Sequence, residues 1–294
     1  MISTGRIISV LAYIVLAPFI GGLLEGIDRK ISARMQRRVG PPLLQPFYDV
    51  IKLWKKQVIV VSRAQAFALI TYLALIVLTG VMFFAGTDIL MCFFVMSTGA
   101  TFLYFAAVAA SSPYSTIGAN RELIQMLTYE PAVLLACVGF YLAEGSFNVA
   151  EIATSNKLDI LYLPGFFVAF VFILTIKMRK SPFDTSTSHH MHQELVKGLT
   201  TEMGSRNLAV FQITEWYENV FLMGVVGLYF INSNPLSIIV AVVAVLLVYF
   251  LEILIDNTSA RVKWEQMLKI TWIVTFFSAG VNLLVLMLIR IGGQ

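Results

Sequence analysis

An all-α integral membrane protein of eight transmembrane helices is predicted for this 294-residue chain, on three observations. The first is composition: 58% of residues are hydrophobic and 13% charged, with a mean hydropathy of +0.81, against roughly 25% charged residues in a soluble domain. The second is length. Eight apolar stretches, 7–27, 64–86, 89–110, 122–143, 160–178, 208–231, 236–255 and 270–291, can each cross a hydrocarbon core about 30 Å thick as a helix. The third is charge segregation: 18 of the 21 Lys and Arg follow the odd-numbered helices, leaving only Arg6, Lys157 and Arg290 on the other side. Cytoplasmic loops are enriched in Lys and Arg, so both termini are expected outside and the long basic loops in the cytoplasm. A miscount of one helix would mix the two populations.

Helix 1 begins a few residues after Met1, is too long for a signal-peptide core and lacks a small-residue cleavage site, so it is expected to stay as an anchor. Glu25 lies near its inner end. The loop 28–63 starts with DRKISARMQRRVGPP, whose charge and turn residues suit a fixed cytosolic bend. After Pro46, the residues Phe47, Val50, Ile51, Trp54 and Val58 recur at helical spacing with Asp49, Lys52, Lys55 and Lys56 opposite them, the pattern of an interfacial amphipathic helix. Its polar face suits either lipid headgroups or a soluble partner. Helices 2 and 3 are apolar runs, and Cys92 and Cys137 lie in helices 3 and 4 without metal-ligand spacing. Neither a disulfide framework nor a cluster held by this chain is therefore expected.

Helix 4 is predicted to open with Arg121 and Glu122, and it carries Glu130 before Pro131. Proline cannot donate to the Leu127 carbonyl, which leaves an acceptor for water near Glu130, or a satisfied polar kink. Helix 5 leads into a second long loop, 177–207, holding Asp184, Glu194, Glu202 and all three histidines, His189, His190 and His192. These histidines admit three readings: a metal site, which lacks a Cys or second ligand cluster, interface polarity, or a proton relay. Helix 6 contains Glu215 and Glu218 one turn apart, and helix 7 pairs Glu252 with Asp256 at i and i+4.

A carboxylate at bilayer depth costs roughly 2.5–3.5 kcal/mol on insertion scales, so such acids point to function, here proton handling. At 1.5 Å per residue the expected depths from the cytosolic side are ~12 Å for Glu130, ~10 Å for Glu215, ~15 Å for Glu218 and ~5 Å for Glu252. The outer half offers only loop acids such as Asp88, Glu144, Glu151 and Asp159. A proton entering from the cytosol therefore has to leave sideways, into another subunit. A stand-alone secondary ion transporter would be marked by inverted repeats, and residues 1–143 and 144–294 show none. A structural anchor with inert acids is the third alternative.

Three blocks, 28–56 (DRKISARMQRRVGPPLLQPFYDVIKLWKK), 111–132 (SSPYSTIGANRELIQMLTYEPA) and 180–218 (KSPFDTSTSHHMHQELVKGLTTEMGSRNLAVFQITEWYE), resemble the eight-helix membrane subunit shared by respiratory complex I and the energy-converting [NiFe] hydrogenases. The resemblance implies a single membrane domain over 1–294 that docks a hydrophilic redox arm and begins a carboxylate path towards antiporter-like subunits. It assigns Asp28, Arg29, Lys30, Arg34, Gln36, Arg38, Gly40 and Pro41 to an arm-facing loop, joined by the three histidines. Arg121, Tyr129 and Glu130 match its fourth-helix block. Pro182, Phe183, Asp184, Glu194, Leu195, Gly198 and Glu202 match the arm-docking loop before helix 6, and Glu215 an acid within that helix. Glu25, Glu122, Glu218, Glu252 and Asp256 complete the candidate proton-transfer set from spacing and depth. The run from Pro42 directly into Leu43, and the stretch SHHMHQ at 188–193, depart from the complex I pattern and look more like the Ech-type hydrogenases. On that branch the [4Fe-4S] clusters and [NiFe] centre sit on partner chains: large and small hydrogenase-like subunits and a ferredoxin-like subunit. A quinone-binding complex I-like subunit is the alternative.

Overall fold

A computed structural model describes residues 4–58, 62–188 and 195–292; His189, His190, His192 and Glu194 lie outside the described residues. The described elements are helical: α1 (Thr4–Met35), α2 (Gln45–Lys55), α3 (Arg63–Phe84), α4 (Ile89–Val108), α5 (Pro113–Glu144), two short helices α6 (Val149–Ala153) and α7 (Asp159–Tyr162), α8 (Pro164–Lys177), α9 (Ser205–Leu228), α10 (Ser237–Thr258), α11 (Trp264–Thr275) and α12 (Val281–Gly292). A π-helical turn, Phe276–Gly280, joins the last two into one rod. Each of the eight predicted crossings is occupied by helix. Six are long and apolar enough to span a membrane: α1, α3, α4, α5, α10 and the α11–α12 rod. α8 is apolar but only 14 residues long, and α9 is diluted by Gln212, Glu215, Glu218 and Asn219.

Two helix starts and ends differ from expectation, for local reasons. α1 continues two turns past residue 27, because no helix breaker precedes Gly40 and the i,i+4 pairs Glu25–Arg29 and Asp28–Ser32 knit the extension. Asp28, Arg29, Lys30 and Arg34 thus belong to a helix and not to a bend. α5 starts at Pro113, a residue pre-set for the first helical turn, nine positions before the predicted start. Glu122 therefore lies inside the helix, and Glu130 sits about 25 Å from its beginning, about twice the expected depth.

α9 packs against α1, α2, α3 and α10, α3 lies along α4 and α4 along α5, and α5 meets α8 and α11. The core between them is aromatic: Phe93 and Phe83 meet Phe221 edge-on, and Phe140 lies on Tyr229. Close approach of α9 to α1 depends on Gly21, where a Cβ would fall 2.6 Å from Trp216. Opposite the core, α10 exposes Ile238, Ile239, Val242, Val243, Leu246 and Leu247, a face that suits lipid. α2 likewise exposes Tyr48, Ile51 and Trp54.

Candidate functional site

The site is built around the end of α8. Lys180 N–H bonds the Thr175 carbonyl and Arg179 N–H the Ile176 carbonyl, the paired closure of a Schellman motif, in which the residue now held by Arg179 is usually glycine. Arg179 occupies it with φ +49°. A non-glycine residue there costs roughly 1–2 kcal/mol, and the return is orientation. Its guanidinium turns back into the bundle and forks, Nη2 to Glu122 Oε1 at 2.7 Å and Nη1 to Glu215 Oε1 at 2.8 Å. Ser186 Oγ donates to the second Glu122 oxygen at 2.6 Å. Burial opposes the Arg179 charge, but Glu122 and Glu215 outweigh it and hold the group well above its ordinary range.

Two residues earlier, Lys177 reaches Glu218 at 2.7 Å and lies 4.4 Å from the centre of the Tyr129 ring, while Tyr72 donates to the other Glu218 oxygen at 2.8 Å. Glu215 and Glu218 thus share a helix face but answer to different cations. Their exposures differ too: the Glu218 and Glu122 side chains are 5% and 8% exposed, and Glu215 is 32% exposed. Glu215 is the member that meets the open space.

From α1 comes a parallel chain. Trp216 Nε1 donates to Glu25 at 2.6 Å, Arg29 bonds the other Glu25 oxygen at 2.5 Å, and Arg29 also bonds Asp49 of α2 at 2.7 Å. The sequence pattern places Asp49 among the exposed lysines of α2; it turns inward instead. Burial raises its carboxyl, yet the bonds from Arg29 and Gln45 prevail and hold it below the usual range. Lys180 pairs with Asp28 at 2.8 Å, Arg261 with Asp184 at 3.1 Å, and Asp256 accepts from Ser181 N–H at 2.8 Å.

These groups surround a cavity of about 600 Å³ between α1, α9, α10 and the segment after α8. Of the residues singled out from sequence, Glu25, Asp28, Arg29, Gln36, Asp184, Glu215, Glu218 and Asp256 line it. Glu122 joins through Arg179. Glu252 is fully buried, with neither carboxylate oxygen hydrogen-bonded. Glu130 stands apart, in a pocket between α4 and α5 with Phe93, Met96 and Ser97. Glu202, in the turn before α9, is half-buried away from the cavity, and Arg34 and Arg38 are exposed, with Lys30 half-exposed. Sequence reasoning missed the cations. Lys177, Arg179 and Lys180 read as topology markers after an apolar helix, and only the chain reversal at Arg179 shows that they point inward. Among the described residues, no three His, Cys, Asp or Glu side chains gather in a way that could hold a metal ion.

Residues 8–287 match the family described as NADH dehydrogenase. The chain is similar to a membrane component of the NADH-quinone oxidoreductase of Rhodospirillum rubrum, at 26% identity over 88% of this chain and 86% of that one. It is also similar to NADH-ubiquinone oxidoreductase chain 1 of Dictyostelium citrinum, at 29% identity over 85% of each. Its fold is similar to a chain of the membrane-bound sulfane sulfur reductase, an archaeal respiratory membrane complex: TM-score 0.86 and 24% identity, covering 96% of this chain and 99% of that one.

Proposed function

The chain belongs to the NADH dehydrogenase family that includes chain 1 of NADH-ubiquinone oxidoreductase, and from that premise we propose that it is the coupling membrane subunit of an energy-converting [NiFe] hydrogenase. It docks the redox arm on the cytoplasmic side, with both termini outside. Electron transfer in the arm shifts the charge at the cavity mouth, and protons pass among Glu25, Glu215, Glu122 and Glu218 and then sideways into an antiporter-like neighbour. The cations set the direction of transfer. When Arg179 leaves Glu215, that carboxylate loses its counter-charge and takes a proton; when Arg179 returns, the proton is driven off.

The observation that carries this reading is the character of the cavity. Pockets for apolar cofactors are lined mainly by hydrophobic and aromatic side chains. Here Met178, Trp216 and Tyr249 are the large apolar or aromatic members of a wall otherwise made of carboxylates, ammonium and guanidinium groups and amides. That lining supports proton traffic over quinone reduction. The tests are two. The purified native complex should contain nickel and iron, and nickel-free quinone reductase activity would move the chain to the quinone branch. In vesicles, Glu215→Gln should abolish ion translocation coupled to turnover; unchanged pumping takes Glu215 off the path.

A further inference from the structure

At the end of the bundle remote from the charged cavity, Asp159 opens α7 and is 0% exposed, and neither of its carboxylate oxygens has a hydrogen-bond donor. Oε1 of Glu144, at the last position of α5, is also buried without a donor, and the two carboxyl groups lie within hydrogen-bonding reach of each other. The hydroxyl of Tyr229, a fully buried residue whose carbonyl accepts from Ile160 N–H at 3.0 Å, is a third buried polar group without a partner. The available cation is committed elsewhere: Lys157 donates to the Ala143 carbonyl at 2.8 Å and leans on the Tyr162 ring. α8 begins beside this group with Pro164, Gly165 and Phe166 and offers no charge.

Two carboxylates cannot both stay ionised in such a place. An unpaired buried charge costs several kcal/mol and is relieved by neutralisation, and adjacent carboxyls relieve it by sharing one proton. We propose that Asp159 and Glu144 form a proton-binding site at this end of the molecule, loaded with one proton at neutral pH and exchanging it with the adjoining water through half-exposed Glu144. Burial first, and then Glu144, push the Asp159 carboxyl up to about 8, while Lys157 pulls weakly the other way. The site is separate from the cavity network and does not depend on the redox reading of that cavity.

Infrared difference spectroscopy of the purified native complex, titrated across neutral pH, tests it. A protonated-carboxyl C=O band should bleach as the pH rises through about 8, vanish in Asp159→Asn and persist in Asp256→Asn. In Glu144→Gln, which removes the like charge, the same band should bleach at lower pH. A band unchanged in Asp159→Asn, or absent from the wild type, overturns the proposal. So does bleaching by added sodium at constant pH, which would mark a cation site. If Asp159→Asn fails to assemble, the Glu144→Gln titration decides alone, and an unmoved midpoint overturns it.

Discussion

Arg179 holds two acids from a backbone conformation that ordinarily calls for glycine, which makes Arg179→Gly a sharp probe of what the side chain contributes. The substitution relieves roughly 1–2 kcal/mol of backbone strain but strands Glu122 and Glu215, and removing one partner of a buried pair costs about 3–5 kcal/mol. A net loss of thermal stability is expected, read as a lower Tm of the purified complex; a rise would mean that the ion pairs contribute nothing. For the neighbouring pair, Lys177→Met should be strongly destabilising, and adding Glu218→Gln should recover part of the loss. The non-additivity in a double-mutant cycle measures the pair. At this scale the acids were legible and their partners were not. Glu215 and Glu218 announce themselves as carboxylates in an apolar run, whereas a lysine or arginine at a helix end carries the same sequence signal whether it faces water or folds back. Glu130 misled for a related reason: the sequence shows that it is embedded, but not that α4 and not the cavity is beside it.

Helices were readable wherever apolar length alone decides, as for α3, α4 and α10, whose positions follow the predicted crossings closely. They were misread where polar residues extend a helix beyond the apolar stretch, at the end of α1 and the start of α5, because hydropathy marks the membrane and not the helix. The π turn before α12 gave no sequence signal. Its role shows in packing: Asn282 Oδ1 accepts from Gly165 N–H at 2.7 Å, its amide donates to the Tyr162 carbonyl, and a Cβ on Gly165 would sit 2.2 Å from the Ser278 carbonyl oxygen. Gly165→Ala should therefore pry α8 from the α11–α12 rod. A cost of about 1–3 kcal/mol is typical of such overpacking, seen as a reduced Tm, with Gly145→Ala as a control for general loss of glycine; a Cβ at Gly145 meets nothing within 4 Å, although its φ of +78° adds backbone strain of its own.

The molecule as a whole has two ends with opposite chemistry. At the cavity end, Lys30, Arg34 and Arg38 remain for a partner after Asp28 and Arg29 are spent on internal pairs, and changing all three to Glu should release the soluble arm at lower salt in co-purification. At the other end, stability should depend on pH with a definite sign. Asp159 keeps its proton to about 8 in the fold and loses it near 3.9 when unfolded. Between those values the unfolded chain binds fewer protons, so stability falls as pH rises and levels off above about 8. Asp159→Asn should flatten that slope in melts of the complex. The Asp49–Arg29–Glu25 chain has a mechanical consequence. α2 rides with Tyr48, Ile51 and Trp54 turned outward while its one acid grips α1, so a sideways shift of this surface helix drags the counter-ion of a cavity carboxylate with it. Bilayer thickness and lateral pressure thereby become inputs to the same switch that the redox arm operates.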